Sequence, residues 1–145
     1  MSLTKIKTTD RATAPGEGFE KNLMVKAGDF NPIVDYLNDS FTPGTVTQTT
    51  AITTGVTLNS KTGVITTVSS TLAAGSNAAF TVTNSEVTTS SVIQLTWANN
   101  GAGIALMSLD AAPANGSFII RIHNVHGANA FNNTLLIHYT VINSN

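Results

Sequence analysis

The sequence predicts an all-β protein: a jelly-roll-like antiparallel β-sandwich of about seven or eight strands, preceded by an extended N-terminal arm and one short helix. Two observations carry that expectation. From Thr45 onward apolar and polar residues alternate with a period of two, in segments rich in Val, Ile and Thr between Gly-, Asn- and Pro-containing turns. Charge also changes abruptly along the chain. Lys5, Lys7, Asp10, Arg11, Glu17, Glu20, Lys21, Lys26, Asp29, Asp35 and Asp39 lie in the first forty residues, whereas only Lys61, Glu86, Asp110 and Arg121 follow. The step falls at residues 41–45 and divides the chain into an arm (1–30), a short helix with linker (31–44) and a sandwich (45–145).

Residues 1–26 show neither helical nor strand periodicity, and "TAPGEG" is rich in turn formers. In "GDFNPIVDYLNDSF", Asn31 suits an N-cap and Pro32 the first helical position. Phe30, Ile33, Val34, Leu37 and Phe41 fall at helical spacing, and Pro43-Gly44 ends the helix. "GVTLNSKTGVITT" reads as a strand through Val56 and Leu58, a turn over 59–63, and a second strand from Val64 to Val68. "AAFTVTNSEV" alternates Phe80 and Val82 with Thr81 and Thr83. "SSVIQLTWAN" places Ile93, Leu95 and Trp97 on one face and Val92, Gln94 and Thr96 on the other, which puts Trp97 in the core. After a turn at Asn99-Asn100-Gly101, "GIALMSLDAAPANGS" holds another strand, closed by Pro113 and Asn115-Gly116.

The last stretch, "FIIRIHNVHGANAFNNTLLIHYTVI", contains all three histidines and reads as a final hairpin. Turning Phe118, Ile120 and Ile122 inward, together with Leu135, Ile137, Tyr139 and Val141, sends Arg121, His123, His138 and Thr140 outward. Antiparallel pairing of these two strands sets His138 opposite Arg121 or His123, with His126 in the turn. Two cross-strand histidines and a distant Asp110 fall short of the three or four convergent ligands that zinc requires, so no metal is expected. Glu86 and Asp110, the only acids after residue 45, fall in expected turns and make no carboxylate pair for glycoside chemistry. No strand-elbow serine and no phosphate loop is present. The expectation is a protein with no catalytic residues and no cofactor.

Bulk properties narrow the partners. The 145 residues include no cysteine, which removes disulfides, thiolate metal sites and a cysteine nucleophile. A net charge of −1 gives no reason to expect a nucleic-acid partner. No run approaches the ~20 apolar residues of a membrane span, and "MSLTKIKTTD" lacks the apolar core of a signal peptide. A chain made in a cytoplasm, with no membrane partner, is the expectation. Charged residues make up 10% of the chain, against about 25% in ordinary domains. Sheet surfaces of Thr, Ser and Asn without Lys and Glu are poorly guarded against association, which points to a symmetric homo-oligomer. Arg121, His123, Leu136, His138 and Ile142, all outward in this register, are the candidate subunit contacts.

"GVTLNSKTGVITTVSSTLAAGSNAAFTVTNSEVTTSSVIQLT" followed by "PANGSFIIRIHNVHGANAFNNTLLIHYTVI" resembles the small Thr/Ala-rich β-sandwich modules of tailed-bacteriophage virion proteins, over about residues 50–142. The matching features are "GVITT", the stretch "FTVTNSEVTTSSVI", and the ending from Asn132 or Asn133 to Val141. The resemblance implies a homotrimeric capsid cement (decoration) protein, seated on the outer surface of the phage head. It would bind across neighbouring major capsid subunits and so stabilise the shell. On that reading the arm faces the lattice, with Lys5, Lys7 and Arg11 as polar anchors and Phe19, Leu23 and Val25 as apolar ones. The same modules occur in head, collar and tail fibres. The alternative is therefore a fibre or tip protein that binds host carbohydrate through Tyr36, Trp97 or Tyr139.

Overall fold

The computed structural model describes residues 42–99 and 106–143, with Pro32, Val34 and Asp35 before them. The chain divides into two units, Met1–Thr42 and Pro43–Asn145. The expected arm lies outside the described residues. Of the expected helix only Pro32, Val34 and Asp35 are described, too few to establish it.

The second unit is all β. Its strands are β1 (Gly44–Thr47), β2 (Val56–Thr57), β3 (Thr62–Thr66), β4 (Ser70–Leu72) and β5 (Asn77–Thr83), followed by β6 (Val92–Asn99), β7 (Met107–Ala114), β8 (Ser117–Asn124), β9 (Phe131–Asn133) and β10 (Leu135–Ile142). One four-stranded sheet has the order β1-β3-β10-β6 and the other β2-β5-β8-β7, while β4 and β9 form a separate pair. Each large sheet has three antiparallel strands and one short edge strand added in parallel, β1 beside β3 and β2 beside β5. The chain crosses between the large sheets from β1 to β2, from β2 to β3, from β3 to β5 by way of β4, from β5 to β6, from β6 to β7, and from β8 to β10 by way of β9, so the two sheets form a β-sandwich.

Alternation drives the burial. Along β5 the exposed Asn77, Ala79, Thr81 and Thr83 interleave with buried Ala78, Phe80 and Val82. In β10 Leu135, Ile137, Tyr139 and Val141 are buried, and in β8 Phe118, Ile120 and Ile122. These inner faces form one core, in which the Phe118 and Tyr139 rings meet edge to face at 5.2 Å. Ile93, Leu95 and Trp97 pack against it, as their spacing predicts. Leu72 of β4 and Phe131 of β9 are cross-strand partners and belong to the same core.

β7 and β8 are the one tight hairpin among the described strands. Ala114 pairs with Ser117 across Asn115-Gly116, and only Gly116 has positive φ, at 73°, the type II pattern. Pro113 is tolerated because β7 is the outermost strand of its sheet.

Two strand pairings and the place of one acid differ from the sequence expectation. β8 and β10 are not a hairpin: β8 lies between β5 and β7, and β10 between β3 and β6. Alternation reports which side of a strand is apolar, and two strands that face each other across a core give the same pattern as two that lie side by side. The connection between β8 and β10 also contains β9, which is engaged with β4. Likewise β2 and β3 belong to different sheets rather than to one strand-turn-strand unit. Asp110 lies in β7, not in a turn, in register with Arg121.

Candidate functional site

The outward side chains of the two large sheets make two chemically different faces. On the β2-β5-β8-β7 sheet, the register places Asn77, His123 and Ser108 in one row and Ala79, Arg121 and Asp110 in the next. Thr81, Ile119 and Ala112 follow, then Thr83, Ser117 and Ala114. Three ionisable groups meet at its centre. Arg121 donates to Asp110 at 2.7 Å, and the His123 ring nitrogen Nε2 lies 3.0 Å from the other carboxylate oxygen. The guanidinium, and after it His123, holds the Asp110 carboxyl below its usual range. Both partners of the ion pair are nearly half exposed, at 45% and 47%, so it contributes at most about 1 kcal/mol.

The other face has no such cluster. On the β1-β3-β10-β6 sheet, Thr47, Thr66, Leu136 and Ala98 form one row, and Thr45, Val64, His138 and Thr96 the next. Thr62, Thr140 and Gln94 follow, and Ile142 pairs with Val92 at the end. His138 is the one titratable side chain among these, and no Asp, Glu, Lys or Arg stands in any of the rows. Val92 and Ile142 are 58% and 51% exposed, large apolar side chains lying next to each other in water.

The five candidate subunit contacts are therefore split. Arg121 and His123 belong to the ionic face, while Leu136, His138 and Ile142 belong to the neutral one. His138 is opposite Val64 and Thr96, not opposite Arg121 or His123. The outward direction of all five follows the alternation; their partners do not. The six arm residues, Lys5, Lys7, Arg11, Phe19, Leu23 and Val25, lie outside the described residues, as does Tyr36. Of the other two aromatic candidates, Trp97 packs against the core and Tyr139 is buried.

Two buried asparagines, not singled out by sequence pattern, tie the loops at the two ends of the sandwich. Asn84, just after β5, donates through Nδ2 to the carbonyl of Ser60 (2.8 Å) and the hydroxyl of Tyr139 (3.2 Å), and its Oδ1 accepts from the Glu86 amide. The Tyr139 hydroxyl also lies 3.1 Å from the Leu58 carbonyl, to which it donates. Burial pushes the Tyr139 phenol up to about 12, with the Asn84 hydrogen bond acting in the opposite direction. Asn124, which ends β8, holds the carbonyls of Leu72, Ala73 and Asn129 through Nδ2, and its Oδ1 accepts from the His126 amide. His126 Nδ1 in turn accepts from the amides of Ala128 and Asn129, so the ring is a turn-forming acceptor. The one sequence signal for these asparagines is an Asn at a strand end beside turn residues.

Among the described residues no group of three His, Cys, Asp or Glu could hold a metal ion, and no helix is long and apolar enough to cross a membrane. No family model, curated protein or solved structure matches the chain.

Proposed function

We propose that this chain is a structural virion protein, a homotrimeric capsid cement that binds the outer surface of a phage head across neighbouring major capsid subunits. One observation carries the reading: a β-sandwich with a sheet face free of formal charge follows a leader that holds most of the chain's charge. A neutral Thr-rich face suits contact with sister copies, and an ionic leader suits gripping a larger surface. Cement works by mass action: because it binds only the assembled lattice, it adds its own binding free energy to the shell's resistance to internal pressure. Joining three copies raises the effective concentration of each weak contact. The fibre or tip reading has less support, because it requires an exposed aromatic platform. Among the described candidates Tyr139 is buried and Trp97 packs inward, while Tyr36 lies outside the described residues.

The test is reconstitution. Full-length protein added to undecorated heads of its own phage should bind at a copy number comparable to that of the major capsid protein. A variant lacking residues 1–26 should keep its folded, trimeric state and lose decoration. Undiminished decoration by that truncation removes the leader from the reading. Failure of the full-length chain to bind heads removes the reading itself.

A further inference from the structure

We infer that His126 is an acid-sensitive latch: its neutral ring holds the loop of residues 125–130 closed at one end of the sandwich, and taking up a proton releases that loop. The inference goes beyond the proposed function and does not depend on it.

Nδ1 of His126 accepts from the amide of Ala128 at 3.1 Å and from that of Asn129 at 2.9 Å. A neutral imidazole accepts only at the nitrogen without a proton, so Nε2 carries the hydrogen in this arrangement. An imidazolium has an N–H at both positions and accepts at neither. A proton added at Nδ1 therefore points an N–H at two other N–H groups, and both contacts break. Histidine is the side chain whose ordinary charge change falls between pH 5 and 8.

Packing does little to keep this loop in place. Val125 and residues 127–130 are exposed, and a Cβ added at Gly127 would meet nothing within 4 Å. Its other ties are polar. The Val125 amide donates to the Leu106 carbonyl, the His126 amide to Asn124 Oδ1, and Asn124 Nδ2 to the Asn129 carbonyl. Asn129 is thus gripped at its carbonyl by Asn124 and at its amide by His126. Without the second grip the backbone from 127 to 129 loses the acceptor around which it turns.

The surroundings give an imidazolium no counter-ion. Residues 67–76, 106–109 and 124–136 are gathered here by Asn124, by the Val125–Leu106 bond and by the β4–β9 pairing. None of these segments contains Asp, Glu, Lys or Arg. On β7 and β8 the ionisable groups that follow are Asp110, Arg121 and His123, which bond one another on the outward sheet face. At the far side of the ring Nε2 lies 3.4 Å from the side-chain amide of Asn129, a neutral group. A charged ring is better solvated by swinging into water. The opening stays local, because Leu72 and Phe131, which close the loop's base, are buried in the core.

The experiment is amide exchange with water, read by NMR on the full-length chain from pH 8 to pH 5 and corrected for the intrinsic pH dependence of exchange. Protection at Ala128 and Asn129 should fall at least about tenfold as the His126 ring signals titrate, while the amide of Ile137 in the core keeps its protection. His126→Asn supplies an oxygen suited to accept from amides two or three residues on, and it does not titrate. Protection in that variant should be the same at both ends of the range. His126→Phe, with no acceptor, should show the low protection already at pH 8. Protection that stays constant while the His126 ring titrates overturns the inference. So does a fall of equal size in His126→Asn, which would assign the response to His123 or Asp110.

Discussion

Tyr139 combines three roles in one side chain: core filler, ring partner of Phe118, and hydrogen-bonding group for Leu58 and Asn84. Tyr139→Phe keeps the ring and removes the hydroxyl, so that Asn84 Nδ2 loses one acceptor and the Leu58 carbonyl keeps only the Ser60 amide as donor; thermal or urea unfolding should show a loss of about 1–2 kcal/mol. The same residue sets an alkaline limit. With its phenol raised to about 12 in the folded chain, the unfolded chain ionises first, near its ordinary value of about 10. The phenol's contribution is thus complete below pH 10 and is lost as pH climbs toward 12, by up to about 1.4 kcal/mol per unit. Urea midpoints from pH 9 to 12 should fall less steeply in Tyr139→Phe. At the opposite end, Asn124→Ala strips donors from carbonyls of the β4–β5 turn and the loop after β8, at a cost of about 2–3 kcal/mol. Amide exchange should quicken at Ala128 and Asn129, whose amides rest on His126.

At the scale of strands, the tightest constraint is β3 against β10. Gly63 is the register partner of Tyr139, and a Cβ there would run into the Tyr139 ring and the Leu58 methyl. Gly63→Ala should destabilise by about 1–3 kcal/mol through overpacking, while the volume-conserving Ile137→Leu costs less than about 1.5 kcal/mol. The β7–β8 hairpin carries the Asp110–Arg121 pair, whose contribution exists above the ordinary carboxylate range and fades as pH falls through the lowered value. Because both groups are nearly half exposed, Asp110→Asn should shift the unfolding midpoint at pH 7 by the equivalent of no more than about 1 kcal/mol, and the shift should shrink in high salt. The longer strands and their inward faces were legible in the sequence because burial on one side of a pleated strand writes an alternation into it; the short β1, β4 and β9 were not, since three or four residues are too few to show a period. Neighbours were not. Nothing in "FIIRIHN" or "LLIHYTVI" says whether the two lie edge to edge or across the core, and that choice separated His138 from Arg121 and His123.

For the molecule as a whole, the sequence made the class and the body of the fold legible, since composition and period both belong to the chain before it folds. The candidate faces were half legible. Outward direction follows from alternation, but the gathering of neutral residues on one sheet and ionic ones on the other depends on which strands share a sheet. Asp110, Arg121 and His123 meet because β7 folds back on β8 through Gly116. Val92 and Ile142 meet because β6 and β10, far apart in sequence, are adjacent. The buried asparagines were illegible for the same reason: Asn84 serves a carbonyl 24 residues away and a hydroxyl 55 away, and Asn124 a carbonyl 52 away.

The backbone enters the sandwich at Gly44, which lies against Leu58 and Ser60. Those residues supply the carbonyls that Tyr139 and Asn84 grip. Mechanical tension applied at Gly44 is thus delivered first to the hydrogen-bonded knot of Leu58, Ser60, Asn84 and Tyr139 at that end of the sandwich.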